Sequence, residues 1–300
     1  VVGAHLRESE WVRAEIGYAR RECKPITMIL RADNPTYIPD ELKLVFAIPC
    51  AAPREYTNAF ADLTARLRED APLGETYGIR PLPDFYLERA TPFSAAHASI
   101  CTAAVNPTVI SAPTRSTTVS GYAGIGKSTL AIALAQDCEV RRFYKDGVIW
   151  VDVGQKPFIT ELQARVGVTV FKDSIDNYQD ADEGRAALAR VLRDKVALII
   201  LDDVWDRSIV EQFPTDGTQC RLLITTRSRT LAKQIDGADV PLEVLSDEEG
   251  ATLIARRAGG SPEDPIYKQI AHLLGGHTLA IRLAAEQLAN HYADSAADLL

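Results

Sequence analysis

Gly121-Tyr122-Ala123-Gly124-Ile125-Gly126-Lys127-Ser128-Thr129 is the stretch on which the reading of this 300-residue chain turns. It fits the pattern of a glycine, four residues, then Gly-Lys-Ser or Gly-Lys-Thr. Thr117, Thr118 and Val119 before it favour a strand, and Leu130-Ala131-Ile132-Ala133-Leu134-Ala135 after it favours a helix. Glycines let the backbone bend tightly and approach a polyphosphate. Successive N–H groups then form a concavity for anions at a helix N-terminus, where the helix dipole also favours negative charge. On this reading Gly121, Gly124, Ile125, Gly126 and Thr129 are candidate contacts to a phosphate tail. Lys127 reaches the β- and γ-phosphates, and the Ser128 hydroxyl ligates Mg²⁺.

Working outward, Val196-Ala197-Leu198-Ile199-Ile200-Leu201 runs into Asp202-Asp203-Val204-Trp205. A continuous apolar strand ending in two carboxylates is the second half such a site needs. Strand ends face the ligand in doubly wound sheets, so Asp202 is a candidate for the metal. Asp203 is a candidate to orient or deprotonate an attacking water, the plainer alternative being that one acid caps the next turn. Arg221-Leu222-Leu223-Ile224-Thr225-Thr226-Arg227 is another strand, and the Arg227 guanidinium can sense a γ-phosphate or simply form a surface ion pair. Alternating strands and helices over 117–238 predict an α/β fold with a parallel sheet and right-handed crossovers. From Val240 onward little strand signal remains. Ser246-Asp247-Glu248-Glu249 is a helix-capping signal, and helices expected near 265–274 and 278–290 make residues 239–300 a small helical bundle.

Hydrophobic residues make up 46% and charged residues 25%, as in a globular protein able to bury real cores. A net charge of −8 argues against general binding of nucleic acid or anionic membranes. Cys23, Cys50, Cys101, Cys138 and Cys220 have neither metal-ligand nor redox-pair spacing. They are expected to be mostly buried free thiols, which together with an odd count suits a reducing, cytoplasmic setting. No apolar run approaches the roughly 20 residues that span a bilayer. Val1 is no translation start, and Leu300 ends a helix-like run with no stop signal, so a fragment of a longer protein is expected.

Before the loop, Ser9 can cap a helix over 11–20, and Val12, Ile16 and Ala19 give it an inward face. Strands follow at Ile26–Leu30 and Leu42–Ile48. A helix over 54–69 then carries Tyr56, Phe60, Leu63 and Leu67 at helical spacing. Helix–strand–strand–helix with buried-type strands suggests the end of a small parallel α/β domain over 1–72. Prolines at 72, 81, 83, 92, 107 and 113 mark residues 73–116 as a linker. Within it Phe85-Tyr86-Leu87-Glu88-Arg89 can set an aromatic and a strip of backbone beside a base, and Ala95–Ala104 reads as a short helix.

Two resemblances follow from these residues. Ser9-Glu10-Trp11-Val12-Arg13-Ala14-Glu15, then Lys24-Pro25-Ile26-Thr27-Met28-Ile29-Leu30, resembles the C-terminal half of a TIR (Toll/interleukin-1 receptor) domain, a flavodoxin-like α/β unit. That resemblance implies either a scaffold that self-associates or an enzyme that hydrolyses NAD, in which Glu15 matches the catalytic glutamate; a solvated helix carboxylate is the alternative. Residues 80–300 resemble the NB-ARC family of STAND NTPases (signal-transduction ATPases with numerous domains, the AP-ATPase class). Residues 121–129 match its Walker A segment, Leu198–Trp205 its Walker B, and Leu223–Arg227 its sensor strand. Leu87-Glu88-Arg89 falls where the family has an adenine-flanking Val-x-Arg. Gly275-Gly276-His277-Thr278-Leu279-Ala280 matches its Gly-x-Pro-Leu-Ala loop, with Thr278 in place of the proline that packs on adenine, an exchange expected to loosen nucleotide retention. The resemblance implies ATP/ADP and Mg²⁺ as ligands, slow hydrolysis or exchange controlling self-association through both domains, and a winged-helix domain after Leu300.

Overall fold

Ala197-Leu198-Ile199-Ile200-Leu201 is buried at every position, as only a strand covered on both faces can be. Among the described residues it lies near the middle of the larger of two sheets. The computed structural model describes residues 10–21, 23, 24, 26, 28–30, 47–49, 55–68, 72–101, 116–215 and 218–290. Expectations for Val1, Ser9, Pro25, Thr27, residues 42–46, Cys50, residues 102–104, Pro107, Pro113 and the 291–300 end lie outside them.

The chain forms two units. The first comprises residues 1–73 with Asp137–Arg142. It contains α1 (Glu10–Arg21), β1 (Met28–Leu30), β2 (Ala47–Pro49) and α2 (Glu55–Arg68). β1 pairs parallel with β2, Met28 opposite Ala47. Ile48 and Ala59 are buried and Leu63 packs on them, whereas Phe60 faces solvent, so helical spacing alone overstated the inward face of α2. A disulfide joins Cys23 to Cys138, across 115 residues of sequence. This corrects the expectation of free thiols for that pair: partners so distant leave no spacing signature. The argument from thiols to a reducing compartment therefore falls away. Among the described residues Cys101 and Cys220 are free.

The second unit comprises residues 74–136 and 143–300. Its elements begin with β3 (Thr76–Tyr77), α3 (Ala90–Cys101), β4 (Ser116–Ser120) and α4 (Lys127–Gln136). α5 (Cys138–Phe143), mostly assigned to the first unit, precedes β5 (Gly147–Asp152) and α6 (Ile159–Ala164). A π-helical stretch, Arg165–Val170, leads to α7 (Ala181–Leu192), β6 (Ala197–Val204), α8 (Arg207–Glu211), β7 (Arg221–Thr226), α9 (Arg229–Gln234) and β8 (Ala238–Pro241). All neighbouring strands are parallel, in the order β3-β5-β6-β7-β4-β8. The C-terminal ends of β4, β7 and β6 therefore lie side by side, and the loop 121–126 leaves from the first of them.

Two strands differ from the sequence reading. β3 comes from the stretch read as linker: it is two residues long between Gly74 and Gly78, and only its pairing with β5 makes it a strand. β8 is the opposite edge, and its final Pro241 sits where no partner needs an N–H. The helical end is α10 (Asp247–Ala258), α11 (Pro265–Leu273) and α12 (Thr278–Ala289). Ser246 and Glu249 close a reciprocal capping box on α10. Leu245, Leu253, Ile254, Ile270, Ala271, Ile281 and Ala285 form its core, and Phe85 and Leu87 pack against it. Among the described residues no helix is long and apolar enough to cross a membrane.

Ile199 is fully buried in the sheet core. Ile199→Ala should lower unfolding free energy by about 2–5 kcal/mol, the range for truncating a buried isoleucine, read as a shift of the denaturation midpoint.

Candidate functional site

β4 is buried throughout, so the loop that follows starts from a fixed point. Gly121 sits at φ 152°, and a Cβ there would lie 2.6 Å from the Leu242 carbonyl oxygen. Gly124 has φ 72°, and a Cβ there would lie 2.8 Å from the His277 ring. Glycine is therefore required at both positions by close approach, and at Gly124 by left-handed backbone as well. α4 then begins at Lys127, with its N-terminus at the loop.

Lys127 is buried, and its Nζ donates to the Tyr122 carbonyl at 2.6 Å. Burial, with the neighbouring Arg227 charge, pushes its ammonium below the usual lysine range, while Asp203 and Asp202 oppose the shift. Ser128 Oγ donates to Asp202 Oδ1 at 2.7 Å, and Thr225 Oγ1 donates to the same oxygen at 2.6 Å. The buried Asp202 is thereby fixed across α4 and β7.

The register explains why two adjacent acids do different things. Leu201 opposes Ile224 and Val204 opposes Thr226, so Asp202 and Asp203 share the single position of Thr225. The extra residue makes a bulge, which Asp203 accommodates at φ 59°. Its N–H donates to Thr225 Oγ1 at 2.9 Å. Its carboxylate accepts from Arg227 Nε at 2.9 Å and from a terminal guanidinium nitrogen at 3.3 Å. Arg227 also lies over the Trp205 ring, 5.3 Å from its centroid.

These residues line a cavity of about 360 Å³. One part of its wall is Gly124–Leu130, Asp202, Asp203, Thr225 and Arg227; another is Pro83, Phe85, Tyr86, Leu87, Leu242, Leu245, Leu253 and Leu279. Arg89, Thr278 and Arg282 complete it. An apolar wall facing convergent polar groups is the usual make-up of a small-molecule site. Arg89 is tied down: it donates to the carbonyls of Glu243 and Val244 at 3.2 and 3.3 Å and pairs with Glu249. Burial pushes the Tyr86 phenol up to about 12, so it stays protonated. Thr278, expected to loosen its contact, donates to the Ile125 carbonyl at 3.1 Å.

The Ser128 hydroxyl and Asp202 carboxylate are hard oxygen donors side by side, and so fit a divalent cation such as Mg²⁺. Among the described residues no three His, Cys, Asp or Glu side chains cluster as a metal cage. A cation here would be shared with a ligand, as Mg²⁺ commonly is with phosphates.

The profile of the NB-ARC domain matches residues 109–263, more than half of the chain. The chain belongs to the NB-ARC family. It is similar to apoptotic protease-activating factor 1 of Danio rerio, at 34% identity over 149 residues, covering 45% of this chain and 11% of that protein. It is 28% identical over 182 residues to the disease resistance protein RPS5 of Arabidopsis thaliana, covering 56% of this chain and 20% of that protein. The chain thus spans well under a quarter of these relatives. Among solved structures, a STAND protein with a tetratricopeptide repeat sensor from Pyrococcus horikoshii has a TM-score of 0.45 and 18% identity, covering 68% of this chain and 30% of that one.

Gly121, Gly124, Ile125, Gly126, Lys127, Ser128, Thr129, Asp202, Asp203 and Arg227 thus gather at the C-terminal ends of three strands of the NB-ARC sheet, and Leu87, Arg89 and Thr278 line the same cavity with all but Gly121. Glu15 belongs to the other unit, exposed on α1. Sequence reasoning gave no role to Thr225, His277, Leu279 or Arg282. Thr225 sat inside the quoted sensor strand, but its two hydrogen bonds depend on a bulge that no pattern announces.

Thr225→Val keeps shape but removes a donor and an acceptor. It should cost about 1–3 kcal/mol of stability, the price of leaving the Asp203 N–H and one Asp202 lone pair unmatched, measured by denaturant titration.

Proposed function

We propose that this chain is an ATP/ADP-binding switch whose nucleotide state controls self-association of a larger signalling or defence protein. The observation that carries the reading is a cavity lined both by a glycine-rich loop, Lys127, two carboxylates and an arginine and by aromatic and aliphatic side chains. The first group suits a polyphosphate, the second a base. Gly121–Thr129 hold the phosphates and Lys127 leaves the Tyr122 carbonyl to meet them. Leu87 and Thr278 flank the base, and Arg89 braces the segment against α10. Ser128 and Asp202 would hold Mg²⁺, which when bound supplies positive charge to the phosphate oxygens.

Arg227 is the element that can tell two nucleotides apart. It is paired with Asp203 and rests on Trp205. A γ-phosphate competes with Asp203 for the guanidinium; a diphosphate does not. Drawing Arg227 away frees the Asp203 carboxylate to orient or deprotonate a water, so hydrolysis is slow and coupled to the sensor's position. Only such a difference in contacts between the two nucleotides can shift a conformational equilibrium. We read the first unit as part of a TIR-like effector that self-association brings together; the parallel β1–β2 pair between α1 and α2 supports this. An exposed helix carboxylate at Glu15 does not by itself support NAD cleavage, and the switch reading stands ahead of it.

Lys127→Ala should abolish ADP and ATP binding in calorimetry; affinity retained at micromolar or better would reject the site. Asp203→Asn should slow ATP turnover by about 10²–10⁴-fold, the usual worth of a general base, while ADP binding stays within a few-fold of wild type. Loss of binding in that variant would mean a structural role instead.

A further inference from the structure

Three successive carbonyls of the phosphate loop are held from one side. His277 Nε2 lies 2.8 Å from the Ala123 oxygen. The Leu279 N–H donates to the Gly124 oxygen at 3.0 Å, and the Thr278 hydroxyl donates to the Ile125 oxygen at 3.1 Å. In a trans peptide the C=O and N–H point to opposite sides, and among the described residues there is no cis bond. Anchoring the carbonyls of residues 123, 124 and 125 therefore turns the N–H groups of 124, 125 and 126 away from the 277–279 segment. Among the described residues none of these three amides donates to a protein group. They are a set of aligned, unspent donors of the kind that makes an anion-binding concavity.

The His277 ring is fixed by both nitrogens. Nδ1 accepts from the Ala280 N–H and caps α12, so it carries a lone pair. Ala123 offers only an acceptor, so Nε2 carries the proton. The ring is wedged against Gly124, where even a methyl group would collide with it.

We propose that His277 is a positioning residue for the phosphate loop. With Thr278 and Leu279 it keeps the amides of 124–126 turned toward the anion, and so makes retention of a nucleoside di- or triphosphate depend on the docking of α12. The inference rests on the nucleotide reading of the cavity. The three anchors come from adjacent residues at the start of one helix, so moving that turn away releases all of them together. Departure of the helical segment and loss of phosphate affinity are then one event. None of the three anchors requires the proline found in the family's loop.

Two substitutions separate positioning from folding. An asparagine amide reaches about as far as Nδ1, so His277→Asn keeps the helix cap and loses Ala123. A glutamine amide reaches about as far as Nε2, so His277→Gln keeps Ala123. The measurement is release of a fluorescent ADP analogue from the purified chain, chased with excess ADP, for wild type, both variants and Thr278→Val. His277→Asn and Thr278→Val should each release the analogue about tenfold faster, the effect of one hydrogen bond, and His277→Gln should stay within about threefold of wild type. Release from His277→Asn at the wild-type rate, or from His277→Gln as fast as from His277→Asn, would overturn the proposal. A wild-type chain that captures no analogue would instead overturn the nucleotide reading beneath it.

Discussion

A bare backbone can hold a multiply charged anion only where several consecutive amides face the same way, and an L-residue chain seldom does this unaided. Here the arrangement between β4 and α4 depends on it. Gly121, Gly124 and Gly126 take up backbone angles that side chains resist, and each peptide so turned presents a donor on one side and an acceptor on the other. The acceptors of Ala123, Gly124 and Ile125 meet partners at the head of α12. The donors are left for a ligand. The sheet supplies the rest by putting β4 beside β7, and β7 beside β6, so that the acids and the arginine arrive at the same edge as the loop.

The same economy governs the acids. Two neighbouring strand residues ordinarily point to opposite faces, which would send one carboxylate into a core. The bulge at 202–203 avoids this by letting both answer to Thr225. Asp202 takes the buried position with Ser128, and Asp203 the outer one with Arg227. The proposed metal-ligating and water-orienting roles thus fall to adjacent residues whose surroundings differ. The Arg227–Asp203 pair is partly exposed, so its energetic worth to the fold is small; in the proposed switch its importance lies in being exchangeable.

The sheet and the polar half of the cavity were legible in the sequence because each rests on local pattern: the glycine spacing of 121–126, the unbroken apolar run of 196–201, the capping residues at 246–249. What escaped depended on distant partners. β3 is too short to signal itself and exists through β5. The Cys23–Cys138 bond joins residues with no spacing relation. Phe60 obeyed helical periodicity and still faces solvent, since periodicity defines a stripe but not what covers it. His277 was invisible as a site residue because its two ring contacts, one to its own helix and one to a loop over 150 positions earlier, belong to tertiary structure alone.

The central claim is that the concavity around Ile125 receives the phosphate tail of an adenine nucleotide. Mass analysis of small molecules released from the purified, freshly denatured chain tests it most directly. The account predicts ADP or ATP at close to one per chain, and none from Lys127→Ala prepared in parallel. A wild-type preparation that carries no nucleotide, and takes up none when incubated with millimolar ADP and Mg²⁺, would contradict it.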